Sequence, residues 1–171
     1  MISLRRQQGV SLIEVLVSTL ILAIGLVGVA GLQAFSLKNN QSAQMRSQAS
    51  ALAYDLADRM RGNVAAANAG MYDPASASAQ SSCRTPSGCA MGEMAQDEMQ
   101  RWIDNVEETL PMGEGWVCID STPNDGADTG NPQCDGNGTR FAVKIWWDDD
   151  RDGEISVEEP NVERLAITFQ L

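Results

Sequence analysis

The sequence predicts an α+β chain in which a long N-terminal helix, apolar in its first half and amphipathic in its second, packs on a small antiparallel β-sheet. Three observations predict this. An uncharged apolar run covers residues 15–32, and an apolar stripe at helical spacing continues to Met60. Beyond Pro111 the apolar period shortens to two, which is typical of strands.

The apolar run begins at Val15 and ends at Leu32. Its length corresponds to about 27 Å of helix, which is just enough to cross the hydrocarbon core of a membrane. Gly25, Gly28 and Gly31 recur within it at every third position. They form either a small-residue strip for close helix packing or a flexible point where the helix can unwind.

The helix is expected to continue past the membrane, because no proline occurs before Pro74. Five apolar residues at spacings of four, three, four and four define one face of this second half: Met45, Ala49, Leu52, Leu56 and Met60. Gly62-Asn63 is a stop signal. We therefore expect one helix over residues 10–62, with residues 10–32 in the membrane and a globular domain over residues 63–171.

Within that domain, residues 63–92 are rich in Ala, Ser, Asn and Gly and predict a surface loop. A second helix is predicted over Glu93–Thr109 and ends before Pro111. Two segments alternate with period two, and Trp116–Ile119 is a third strand candidate. In the first, Phe141, Val143 and Ile145 alternate with Ala142, Lys144 and Trp146, and in the second, Leu165, Ile167 and Phe169 alternate with Ala166, Thr168 and Gln170.

Composition excludes several function classes. The chain has 171 residues, a formal charge of −11 and no histidine. Without histidine there can be no His-dependent catalytic triad and no His-ligated zinc. A surface of this charge repels phosphate backbones, so nucleic acid is not an expected partner.

Four cysteines follow the apolar run, and the basic residues before it place them outside the cytoplasm by the positive-inside rule. An even number of cysteines in an exported domain favours disulfides. Of the three possible pairings we favour Cys83–Cys89 with Cys118–Cys134, since each closes a local loop rich in turn-forming residues. A four-thiolate zinc site is the alternative, although no C-x-x-C spacing is present.

The acid Glu14 lies at the start of the apolar run, where a charge costs roughly 2.5–3.5 kcal/mol even on lenient insertion scales. It follows a basic leader with Arg5 and Arg6, then Gly9 and Val10. This arrangement resembles the leader-peptidase site of type IV pilins and pseudopilins. The resemblance implies removal of residues 1–9 by cleavage after Gly9, N-methylation of Val10, and a role in assembly for Glu14.

Three further segments resemble the PilV-type minor pilins, often called type IV pilus modification proteins: 57–63, 110–115 and 147–149. The resemblance implies a minor pilin that initiates pilus assembly near the tip, anchored in the inner membrane by a single pass with its C-terminal domain in the periplasm. The implied partners are other minor pilins, the major pilin, a tip adhesin, prepilin peptidase and the inner-membrane assembly platform. A pseudopilin of a type II secretion system is the alternative.

An acidic segment from Asp148 to Glu159 fits the twelve-residue calcium-loop pattern at every fixed position. The ligands this pattern predicts are Asp148, Asp150, Asp152, Glu154, Ser156 and Glu159. A strand rather than a helix enters the segment, so a solvated acidic turn is the alternative, and calcium is the one cofactor considered. Paired carboxylates can also serve acid–base catalysis, but no partner nucleophile accompanies them and we do not expect an enzyme.

Overall fold

The computed structural model describes residues 11–158 and 162–171. The chain divides into two compact units, one up to Gln41 and the other from Ser42 to Leu171. Helix α1 spans Leu12–Gly62, so it begins in the first unit and ends in the second.

The first unit, as far as it is described, consists of the apolar part of α1. Among the described residues α1 is the one helix long and apolar enough to cross a membrane, with a mean hydropathy of 2.5 over an 18-residue window that is 0% buried. The hydroxyls of Ser18 and Thr19 donate to the carbonyl of Val15 at 2.9 and 3.0 Å. These polar groups are therefore satisfied within the helix, as an apolar surrounding requires.

The second unit contains the amphipathic part of α1. All five residues of the predicted stripe are buried, together with Ala53 and Ala57. Helix α3 spans Met91–Thr109, two residues earlier in its start than predicted, and it buries Met99, Trp102 and Val106. The two helices meet where the Trp102 Nε1 donates to the backbone carbonyl of Leu52 at 2.8 Å.

The prediction of a surface loop over residues 63–92 was wrong in part. A short helix α2 spans Val64–Asn68, and single 3-10 turns follow at Pro74–Ser76 and Ser81–Arg84. Ala66, Ala67 and Tyr72 are buried in the core. Alanine has the highest helix propensity and leaves little side chain to accommodate, so a segment without clear apolar periodicity still forms a buried helical turn.

The sheet has three antiparallel strands in the order β1-β2-β3: Glu114–Ile119, Phe141–Trp146 and Arg164–Phe169. Val117 lies opposite Val143, which lies opposite Ile167. The predicted α+β class, with a long N-terminal helix on a small antiparallel sheet, is confirmed.

Candidate functional site

Glu14 lies in the first turn of α1, and its backbone N–H donates to the carbonyl of Ser11 at 3.0 Å. Its side chain is exposed in this structure. An acid in the first turn interacts favourably with the helix dipole, which suits the start of the helix but does not neutralise the charge. Gly9 and Val10, the predicted cleavage and methylation positions, lie outside the described residues.

Both disulfides favoured by the sequence are present, Cys83–Cys89 and Cys118–Cys134. With all four sulfurs joined in pairs, no thiolate remains for zinc. The first disulfide closes the loop before α3, where the buried Asp97 accepts from the backbone N–H of Gln80 at 2.9 Å. This hydrogen bond fastens the loop to α3, and Arg101 of the same helix pairs with the Asp97 carboxylate at 3.0 Å.

The calcium-type segment forms the connection between β2 and β3. Asp148 is 3% exposed, and its backbone N–H donates to the carbonyl of Pro111 at 2.9 Å. The Asp148 carboxylate accepts from three successive backbone N–H groups, those of Arg151 at 2.6 Å, Asp152 at 3.2 Å and Gly153 at 2.9 Å. The chain is thus wound tightly around this carboxylate, with positive φ angles at Arg151 and Gly153.

Glu163, just before β3, is 5% exposed and joins this connection from outside the twelve-residue pattern. Its carboxylate accepts from the backbone N–H of Asp149 at 3.0 Å and of Ser156 at 2.6 Å. Asp148, Asp150 and Glu163 each offer a carboxylate oxygen, and these oxygens lie within 4.8 Å of one another.

Among the described residues, the other calcium ligands predicted from the sequence do not belong to this group of three carboxylates. Asp152 and Glu154 are outside that group of three, and the carboxylate of Asp152 accepts from the backbone N–H of Glu154 at 2.9 Å. Ser156 approaches through its backbone. Glu159 lies outside the described residues.

Sequence reasoning missed Glu163, although strand register could have found it. In the antiparallel pairing of β2 with β3, Trp146 lies opposite Arg164, so the residue before Arg164 falls at the end of the ladder beside Trp147. Asp148 follows directly. An acid at this point of the register is therefore brought to the start of the loop whatever the loop's internal sequence is.

A second acidic connection, residues 120–135 between β1 and β2, folds over the face of the sheet that is turned away from the helices; we call it the cover loop. Lys144 of β2 is 0% exposed beneath it. The Lys144 Nζ lies 2.6 Å from Asp120 Oδ2 and 2.6 Å from Asp125 Oδ1. It also donates to the carbonyls of Pro132 at 2.8 Å and Asp125 at 3.2 Å.

Other donors of the same sheet face hold the cover loop. Arg164 donates to the carbonyls of Gly126, at 2.6 Å, and Asn124, and Trp146 Nε1 donates to Gly126 at 3.4 Å. Desolvation raises the pKa of Asp125, but the hydrogen bonds from Lys144 and Thr122 and the charges of Lys144 and Arg164 together outweigh it, so the pKa of Asp125 is lowered. The period-two pattern of β2 gave no sign that Lys144 is buried, because a strand's own alternation does not show whether a loop covers its second face.

The family model of the prokaryotic N-terminal methylation motif matches residues 4–30. This match supports a type IV pilin-like protein. It includes Gly9, Val10 and Glu14, it fits membrane anchoring and association with a pilus, and it indicates a structural protein rather than an enzyme. Comparisons with curated proteins and with solved structures gave no significant match.

Proposed function

We propose that this pilin-like chain is a PilV-type minor pilin that helps to initiate type IV pilus assembly with other minor pilins and an adhesin at the tip. The observation that carries the proposal is the position of Glu14, the fifth residue after Gly9, within the matched methylation motif and at the start of an apolar helix. An acid at this depth is costly unless a cation neutralises it.

The α-amino group that cleavage creates at Val10 of a neighbouring subunit is such a cation. Pairing of this amine with Glu14 relieves the cost of the buried carboxylate and fixes the axial register between subunits. In this mechanism Glu14 selects the docked state rather than stabilising the free chain.

The three segments whose sequences resemble the PilV-type branch all lie in the second unit. Two of the three segments that resemble this branch, 110–115 and 147–149, lie far apart in the sequence. They meet in the structure, where the Asp148 N–H donates to the Pro111 carbonyl. The third, 57–63, forms the end of α1.

Mass spectrometry of the N-terminal peptide from sheared pili tests the proposal. The expected peptide begins with N-methylated Val10, and a Glu14→Ala variant is expected to be depleted from pili at least about tenfold, the equivalent of about 1.4 kcal/mol. Ser18→Ala, one helical turn later, is the matched control and is expected to enter pili normally. A product that begins at Met1, or a Glu14→Ala variant present at the parental level, would contradict the proposal.

The alternative, a pseudopilin of a type II secretion system, has the same N-terminal signature and differs in its partners. Cross-linking in cells followed by affinity purification separates the two. Recovery of minor pilins and the pilus adhesin supports the proposed function, whereas recovery of secretion pseudopilins replaces it with the alternative.

We further propose that the β2–β3 connection binds calcium. Two of its carboxylates, those of Asp148 and Glu163, are more than nine-tenths buried, and within residues 11–158 and 162–171 no basic side chain pairs with either of them. Hard oxygen donors converging on a tight turn are the ligands that calcium prefers. Calcium would supply a positive charge beside the buried carboxylates of Asp148 and Glu163.

A further inference from the structure

The oxygen atoms around Lys144 form a cage that comes from three positions in the cover loop. Asp120 is its first residue, directly after β1, and Asp125 and Pro132 lie further along it. Together they place two carboxylate oxygens and two carbonyl oxygens at 2.6–3.2 Å from the Nζ atom. The Lys144 side chain is fully buried, and that of Asp120 is 0% exposed.

This set of oxygens has the chemistry of a calcium loop. Carboxylate and backbone carbonyl oxygens are the ligands that calcium takes, usually six to eight of them, with water completing the set. Here an ammonium group stands at the point where they converge. The Lys144 side chain reaches this point from β2, beneath the cover loop. It therefore supplies the positive charge without a dissociable ion.

We infer that Lys144 takes the place of a metal ion in the cover loop, and that its oxygen cage becomes a divalent-cation site once the ammonium is removed. In the native chain the loop is therefore shaped by a cation that cannot be lost to a chelator. The inference goes beyond the proposed function and does not depend on calcium binding at the β2–β3 connection.

The cage has a defined consequence for the loop. Without a cation, Asp120 would be a buried carboxylate facing Asp125, and like charges at this separation repel each other. Other contacts do not depend on this charge. Arg164 and Trp146 donate to the carbonyl of Gly126, and the Cys118–Cys134 disulfide joins the loop to β1. Loss of the charge should therefore loosen residues 121–133 while the sheet and helices stay folded.

The experiment uses the full chain in detergent with Asp148→Asn present throughout, so that calcium binding at the β2–β3 connection is weakened equally in every variant and each response is read relative to this background. Lys144→Ala removes the ammonium and opens space for an ion. Millimolar calcium is expected to raise the melting temperature of this variant by about 5 °C. It should also restore hydrogen-exchange protection to residues 121–133.

Three controls isolate the cage. Lys144→Met removes the same charge but fills the space, and Val143→Ala opens a cavity on the helix-facing side of the same strand; neither should respond to calcium. Adding Asp120→Asn to Lys144→Ala removes one ligand and should abolish the response.

Equal responses of Lys144→Ala and Lys144→Met, or a response that survives Asp120→Asn, would overturn the inference. Lys144→Ser, whose hydroxyl adds an oxygen to the cage, is the second variant if Lys144→Ala does not fold without metal. Failure of both variants to fold even with calcium present also counts against the inference, because the ion is expected to restore the loop.

Discussion

At the scale of single residues, the two acidic connections at the ends of β2 differ in where their positive charge comes from. In the cover loop, Lys144 brings it from within the chain. In the β2–β3 connection the carboxylates of Asp148 and Glu163 accept only backbone N–H groups among the described residues. Backbone donors stabilise a carboxylate but add no net charge, so the second connection is the one expected to need an ion.

Calcium titration of the chain tests this expectation at the residue scale. We expect a dissociation constant between about 10⁻⁶ and 10⁻³ M. Glu163→Gln and Asp148→Asn should each weaken binding at least about tenfold, because each removes a charged ligand. The measurement is isothermal calorimetry. Asp104→Asn, which neutralises an exposed acid on α3, is the matched control and should leave the constant unchanged.

Absence of any heat or thermal shift with calcium would end the calcium proposal. If Glu163→Gln binds calcium with the parental affinity, then Glu163 is not a ligand. The ion would in that case be held by residues of the twelve-residue loop alone.

The structural roles of some residues could be predicted from the sequence, and those of others could not. The cysteine pairs could be predicted because each closes a short loop rich in turn-forming residues, and both features can be read directly from the sequence. Lys144 and Glu163 could not be read from a local pattern. Their roles depend on which segments the sheet register and the cover loop bring against them, and these contacts span up to 24 residues of sequence.

At the scale of elements, the packing of α3 against β1 depends on the absence of a side chain at Gly115. A Cβ atom there would lie 2.4 Å from the Trp102 ring, and Trp102 is itself held by its hydrogen bond to α1. The ring therefore contacts the backbone of β1 directly, and this contact sets the distance between the helix layer and the sheet.

Gly115→Ala is expected to reduce the free energy of unfolding by about 1–3 kcal/mol, since either the ring or the strand must move. Urea unfolding of the full chain in detergent measures the loss. Gly62→Ala, at the helical end of α1 where an added Cβ meets nothing within 4 Å, should leave the stability unchanged or raise it by up to about 1 kcal/mol. A smaller cost for Gly115→Ala in a Trp102→Phe background would show that the contact is the cause.

The elements with strong periodicity could be predicted from sequence, and the weakly patterned ones could not. Helix α1 carries a stripe of five apolar residues, and β2 and β3 alternate regularly. Helix α2 has five residues, too few to display a helical period, and only Ala66 and Ala67 of it are buried. Short helices of this kind are set by tertiary packing.

At the scale of the whole molecule, the boundary of the second unit differs from the domain limit drawn from the sequence. The sequence predicts a globular domain from residue 63, whereas the compact unit begins at Ser42. The reason is that the amphipathic part of α1 supplies Met45, Leu52, Leu56 and Met60 to the core. This segment is part of the fold and cannot be treated as a linker.

Two truncated chains test this boundary when they are produced in an oxidising compartment. A fragment of residues 42–171 is expected to be soluble and to unfold cooperatively when followed by circular dichroism. A fragment of residues 63–171 should lack a cooperative transition. Burial of each large apolar side chain contributes about 1.5–3 kcal/mol, and four of them are comparable with the whole stability of a small domain. Cooperative folding of the shorter fragment would contradict this account.

The Cys118–Cys134 bond also makes the outermost layer of the fold sensitive to its redox surroundings. A sulfur–sulfur bond of this kind persists only in an oxidising compartment, so under reducing conditions the cover loop is held by hydrogen bonds and ion pairs alone. Reduction would therefore loosen this layer, and reoxidation would lock it in place again.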